Sequence, residues 1–205
     1  MMLLFIPPTT GSISLLASDS DELSKVVEKF RKAWAREKRP HPEVDSIFKV
    51  TNSTLEKKWT TYKSRLIEKD VNELYHGTTL SCKITTTQKL CNIGSCGICG
   101  ISSIGLDHQY IRKRFQRFGN GFYLAPNSSK CNDYTQSCDG LKAVLLCDVL
   151  PGKRYIVQTN RQHLKGPPTG YDSVYGNIGE DLNFAEQVVY KSEAVLPRYI
   201  IVYNS

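Results

Sequence analysis

The sequence predicts an α+β domain built on antiparallel sheets, and three observations carry that reading. Apolar residues recur at helical spacing in two stretches before residue 70. After residue 70 the pattern changes to many short β-rich runs set between Gly- and Pro-bearing turns, with few helical stretches among them. With 205 residues, 40% of them hydrophobic, the chain is long enough for one domain that buries roughly 70% of the surface its unfolded form exposes. No internal repeat and no linker divides it.

Taken in order, residues 1–18 read as a poorly ordered leader, with Pro7, Pro8 and Gly11 among several Ser and Thr. Asp19 with Glu22 three residues on reads as a capping box and opens an amphipathic helix over residues 20–38. Leu23, Val26, Val27, Phe30, Ala33 and Trp34 form its buried stripe. Lys25, Lys29, Lys32 and Arg36 then face solvent, and Pro40 and Pro42 end the helix. This helical extension, residues 19–42, precedes the main body, residues 43–205. Residues 46–50 form a short strand. Ser53 with Glu56 reads as a second capping box, before a helix that packs Leu55, Trp59, Tyr62 and Leu66 on one face.

Residues 71–76 read as a strand, with Gly77-Thr78-Thr79 as the turn after it. A Cys- and Gly-rich segment covers residues 80–106, and a basic helix is expected over residues 107–117. Next come a strand over 121–125, a short helix over 129–136, and an apolar strand over 143–149 ended by Pro151-Gly152. Residues 155–157 form a further short strand, and Pro167-Pro168-Thr169-Gly170 marks a loop. Two last β-rich runs, 186–190 and 199–203, are bridged by Pro197.

Lys and Arg outnumber Asp and Glu by 27 to 20, giving a net charge of +7 and a pI near 9.0. That balance moderately favours acidic partners such as nucleic acid, beside the plainer reading of a solvated basic surface. No stretch approaches the roughly 20 apolar residues of a membrane span. The N-terminal apolar run stops at Pro7 with no basic residue before it, which disfavours secretion and points to an intracellular protein of nucleus or cytoplasm. Asn52-Ser53-Thr54 and Asn127-Ser128-Ser129 fit the glycosylation pattern and read as unmodified.

Three separated motifs carry the chemistry: Tyr75-His76-Gly77-Thr78, Gly121-Phe122-Tyr123-Leu124-Ala125, and Phe184-Ala185-Glu186-Gln187-Val188-Val189-Tyr190. Each reads as a strand with one hydrogen-bonding side chain among apolar or aromatic neighbours. A His, a Tyr and a Glu on neighbouring strands supply an anchor, an aromatic wall and a carboxylate. That set suits a nucleotide whose leaving group is a flat heteroaromatic ring, because a nearby carboxylate favours glycosidic cleavage through an oxocarbenium-like state.

The order and context of these motifs resemble the His-Tyr-Glu site of the poly(ADP-ribose) polymerase-like ADP-ribosyltransferases. The resemblance spans residues 43–204 and takes in Phe118-Gly119-Asn120, Ser129-Lys130-Cys131-Asn132-Asp133-Tyr134 and Gly170-Tyr171-Asp172-Ser173-Val174-Tyr175-Gly176. It implies the ADP-ribosyltransferase fold: two packed, mainly antiparallel sheets with flanking helices, preceded by N-terminal helices. It also implies NAD as co-substrate. His76 would hold the adenosine-ribose hydroxyl, with Thr78 nearby, and the Gly77 backbone would bind the nicotinamide carboxamide. Tyr134 would stack on the nicotinamide ring, Tyr123 would close the other side, and Glu186 would bond the nicotinamide-ribose hydroxyl. Cys131 stands where the family usually has a carboxamide-binding Ser, and Gln187 where a hydrophobic residue is commoner.

Two constellations lie outside that set. Cys82, Cys91, Cys96 and Cys99 read as free thiols ahead of zinc ligands, and as zinc ligands ahead of disulfides, so no metal ligand is assigned. Arg112-Lys113-Arg114 and Arg117, interleaved with Tyr110, Phe115 and Phe118, read as a solvated helix face ahead of a phosphate- and base-gripping one. The expected activity is transfer of ADP-ribose, in single units, from NAD to a protein or nucleic-acid acceptor with release of nicotinamide. The alternatives are a catalytically weak NAD- or ADP-ribose-binding module and a zinc-bearing nucleic-acid-binding protein.

Overall fold

Strands β5 (Leu141–Val149) and β9 (Val195–Asn204) sort the core into two layers, because a strand buried on both faces alternates its side chains between them. In the computed structural model, which describes residues 11–35, 41–111 and 116–204, these two strands lie side by side in a five-stranded antiparallel sheet. Its order is β1 (Ser12–Leu15), β2 (Val44–Thr51), β9, β5 and β3 (Asn72–Gly77). The second sheet has the order β4 (Phe122–Leu124), β8 (Glu186–Val189), β7 (Ser173–Gly176) and β6 (Arg154–Val157). Only the β6–β7 pair in it is parallel. Two mainly antiparallel sheets with flanking helices are the expected architecture.

On one face of the first sheet, Val144, Leu146, Ile201 and Tyr203 pack against Val26, Phe30 and Trp34 of the N-terminal segment. The periodicity of α1 (Asp21–Lys32) aims that stripe inward. On the other face, Ala143, Leu145, Cys147, Ile200 and Val202 meet Phe122, Leu124 and Val189 of the second sheet. The Cys-rich segment contributes Leu80, Ile84, Ile98 and Leu106 to that same layer. It carries α3 (Ile84–Thr87) and α4 (Gly97–Ile104), helices that composition alone left unassigned.

The structure corrects several expectations. Within the expected leader, Ser12–Leu15 pairs with β2, because Ile13 alternates with serines and packs against the core edge. The N-cap of α1 is Ser20 rather than Asp19: its backbone is extended and its side chain accepts from the Leu23 amide. Likewise Asn52, not Ser53, caps α2 (Ser53–Arg65). Asn52 is buried and also donates to the carbonyls of Ser102 and Ser103, so the cap ties α2 to α4. Among the described residues of the stretch 107–117, where a basic helix is expected, the helical structure is a 3-10 turn at His108–Tyr110 with an Asp107 cap. Arg112, Lys113, Arg114 and Phe115 lie outside the described residues, as do residues 1–10 and Arg36. Pro197 does not break β9; a register shift in the pairing with β5 absorbs it. Among the described residues no helix is long and apolar enough to cross a membrane.

Candidate active site

The two sheets are joined where Tyr75 and Ala125 exchange backbone hydrogen bonds of 2.8 and 3.0 Å. This bridge sets the end of β3 beside β4. It brings His76, the next residue, to Tyr123, whose carbonyl accepts from His76 Nδ1 at 2.9 Å. A carbonyl only accepts, so Nδ1 carries the proton and Nε2 of the neutral ring is left as an acceptor. Burial holds the imidazole below its ordinary range, the Tyr123 carbonyl opposing that shift more weakly. The group therefore stays neutral at pH 7, fit to receive a ligand hydroxyl.

Tyr123 spends its hydroxyl inside the protein. It accepts from the Phe118 amide at 2.9 Å and donates to the Gly119 carbonyl at 2.8 Å. Burial pushes that hydroxyl upward as an acid. What remains for a ligand is the ring, locked in orientation by both bonds. Tyr123 lies opposite Val188 on β8, and Glu186, two residues along, projects from the same face of the sheet. Register alone thus places the Tyr and the Glu together.

Glu186 is 4% exposed. One of its oxygens, Oε1, is ion-paired with Lys130 on α5 (Ser128–Asn132), whose side chain is only 12% exposed. The other, Oε2, is buried and has no hydrogen-bond partner. A buried carboxylate oxygen without a donor costs free energy that a ligand hydroxyl would recover. Lys130, the ion-pair partner of Glu186, is a residue that sequence reasoning passed over, although it sits within the Ser129-Lys130-Cys131 motif.

Helix α5 supplies the remaining wall. Ser128 Oγ and the Ser128 amide bond the carbonyls of Phe30 and Ala33, and Ser129 Oγ accepts from the Ala35 amide. These bonds satisfy the end of α1 and fix α5. A Cβ on Gly77 would fall 2.0 Å from the Cys131 carbonyl oxygen, so only glycine lets β3 and α5 approach this closely. Cys131 donates its thiol hydrogen to the Tyr75 carbonyl at 3.1 Å, and burial pushes the thiol up to about 12. It is a neutral, internally bonded thiol beside Gly77. Tyr134, just beyond the helix, is 58% exposed, its side chain open to stack on a planar group. Burial raises its hydroxyl as an acid, and the Glu186 carboxylate adds to the shift, which places the two near each other.

The structure therefore gathers His76, Gly77, Tyr123, Cys131, Tyr134 and Glu186 around the seam between the sheets. Thr78 goes elsewhere: its hydroxyl lies against Gly97 of the Cys-rich segment. A cavity along α2 lined by Lys57, Lys58, Arg65 and Glu193 shares no residue with this group.

Comparison with known proteins gives the family. Residues 20–197 match the family described as poly(ADP-ribose) polymerase catalytic domain. Human protein mono-ADP-ribosyltransferase PARP4 is 33% identical over 93 residues, covering 42% of this chain and 5% of the human protein. The mouse protein of the same name is 26% identical over 207 residues, covering 95% of this chain and 10% of that protein. The chain thus spans a tenth or less of the length of these relatives. The match runs through β3, β4, α5 and β8, so the chain belongs to the poly(ADP-ribose) polymerase catalytic-domain family, a class of NAD-dependent ADP-ribosyltransferases.

Proposed function

We propose that this domain cleaves the nicotinamide–ribose bond of NAD and transfers single ADP-ribose units to a protein or nucleic-acid acceptor. The observation that carries the reading is the half-committed carboxylate of Glu186, paired with Lys130 through one oxygen and free at the other. Oε2 accepts a hydroxyl of the nicotinamide ribose. The fixed negative charge stabilises positive charge that grows on the sugar as nicotinamide leaves, in a site shielded from water. The same carboxylate orients, or takes a proton from, the acceptor nucleophile.

The other residues fit the rest of NAD. Nε2 of His76 accepts from an adenosine-ribose hydroxyl, and the Gly77 backbone meets the carboxamide. The nicotinamide ring lies between the locked Tyr123 ring and the exposed Tyr134 ring. Transfer of single units is supported by the names of the two relatives, both mono-ADP-ribosyltransferases.

Incubation with labelled NAD tests the proposal. The expected result is release of nicotinamide together with ADP-ribose adducts, detected by mass spectrometry on the protein or on added nucleic acid. Binding of NAD without turnover would instead establish a reader module.

A further inference from the structure

We propose that Cys82, Cys91, Cys96 and Cys99 bind one zinc ion as four thiolates, forming a structural site that clamps the turn after β3. Their four Sγ atoms all lie within 4.8 Å of one another. Cys82 Sγ is 3.6 Å from Cys99 Sγ and 3.8 Å from Cys96 Sγ. A tetrahedral ion with Zn–S bonds of about 2.3 Å sets its sulfur atoms about 3.8 Å apart. Disulfide-bonded sulfurs would be about 2.05 Å apart, and all seven cysteines are free. The enclosed space fits one ion rather than a cage of several irons, and a tetrahedron of thiolates suits zinc.

The surroundings make the site structural. Four thiolates fill every position of a tetrahedral ion, leaving none open for water; Cys82, Cys96 and Cys99 are buried and Cys91 is half-buried. The Ser81 amide donates to Cys96 Sγ at 3.4 Å, an outer bond of the kind that orients a metal thiolate. Cys96-Gly97-Ile98-Cys99 forms the knuckle, and its middle residues grip the turn that follows His76. A Cβ on Gly97 would lie 2.1 Å from Thr78 Oγ1, so only glycine allows that contact. The Ile98 amide bonds the Thr79 carbonyl at 3.1 Å. The segment needs such a staple: α3 has four residues and α4 eight, both too short to persist without tertiary support.

Elemental analysis of the full chain, purified under reducing conditions without chelator, tests the site. One zinc per chain is expected, and replacement by cobalt(II) should give the intense visible bands of a tetrahedral thiolate site. Cys96→Ser and Cys99→Ser should each lose the metal, whereas Glu186→Gln should keep it. Stripping zinc from the unaltered chain should lower the thermal midpoint and speed amide exchange over residues 76–99. Absence of zinc with no cobalt uptake, iron in its place, or full zinc retention by both Cys variants would each overturn the proposal. If the Cys variants fail to fold, titration of the unaltered chain with a thiol reagent decides. Zinc released in step with four thiols supports the site, and zinc released without them, or no zinc at all, refutes it.

Discussion

Glu186→Gln separates the charge of the carboxylate from its shape. The amide keeps an oxygen that can accept from Lys130 and keeps nearly the same volume, so β8 and α5 should stay in place. What is lost is the negative charge that, on the proposed reading, faces the reacting sugar. Removing one such preorganised electrostatic contact costs about 10²–10³ in rate, about 2.7–4 kcal/mol. Glu186→Ala goes further, because it leaves the Lys130 ammonium, 12% exposed, without its counter-charge or an acceptor. Breaking a buried pair from one side costs about 3–5 kcal/mol. For a chain of 205 residues that lowers the thermal midpoint by on the order of 10 °C. The assay is nicotinamide release at saturating NAD, run beside thermal melts. The Gln variant, which keeps an acceptor for Lys130, should lose less of its thermal midpoint than the Ala variant yet turn over far more slowly, and the Ala variant should lose both properties. Full turnover in Glu186→Gln would refute the assignment of this carboxylate and the enzyme reading with it.

Further outcomes follow from the other residues of the site. His76→Ala removes a ground-state acceptor, so NAD affinity should fall up to about tenfold, the worth of one hydrogen bond, while turnover at saturation changes little; titration calorimetry beside steady-state rates checks the split. Burial holds His76 below its ordinary range, so the unfolded chain takes up that proton first. Stability from this group is complete above the unfolded value of about 6.5 and is lost as pH falls below it; melts between about pH 7.5 and 5.5 should show a decline that His76→Gln reduces. Gly77→Ala would drive a methyl to 2.0 Å from the Cys131 carbonyl, so a loss of about 1–3 kcal/mol in denaturant stability is expected, with weakened NAD binding. Cys131→Ser keeps a donor for the Tyr75 carbonyl; stability should change by less than about 1.5 kcal/mol, and nicotinamide should inhibit the variant more strongly.

The layered α+β architecture was legible because β5 and β9 read as apolar runs and α1 carries an unmistakable stripe. His76, Tyr123 and Glu186 were legible as motifs, since each sits on a strand whose neighbours announce it. The Lys130–Glu186 pair was not. Nothing in local sequence says that a lysine on a five-residue helix will reach a carboxylate 56 positions away. The caps were misread by one residue each, because the N-cap is decided by backbone dihedrals, and Asp19-Ser20 and Asn52-Ser53 both offer two eligible side chains. Tertiary bonds from Asn52 to α4 add a reason that no local pattern contains. At the start of the expected basic helix, Asp107 caps a 3-10 turn and His108 bonds the Tyr190 carbonyl at 3.1 Å. Strand β7 escaped because its four residues carry too short an alternation to stand out.

The placement of the site explains why rigidity and exposure are divided as they are. Helix α5 is held from three directions. Ser128 and Ser129 fasten it to the end of α1, Cys131 bonds β3 through the Tyr75 carbonyl, and Tyr203 on β9 donates to Asn132 Oδ1 at 3.0 Å. Lys130 therefore meets Glu186 from a fixed base, and Glu186 lies in a sheet that cannot shift without breaking the Tyr75–Ala125 bridge. Charge that must stand ready before a transition state forms gains most from such fixity, because no reorganisation is then needed at the moment of reaction. Tyr134 follows immediately after α5 and is the most exposed member of the group. On the proposed reading this ring admits a planar ligand and releases it as nicotinamide, which suits its exposure. The helix end is thus a boundary between the buried, fixed part of the site and its exposed part.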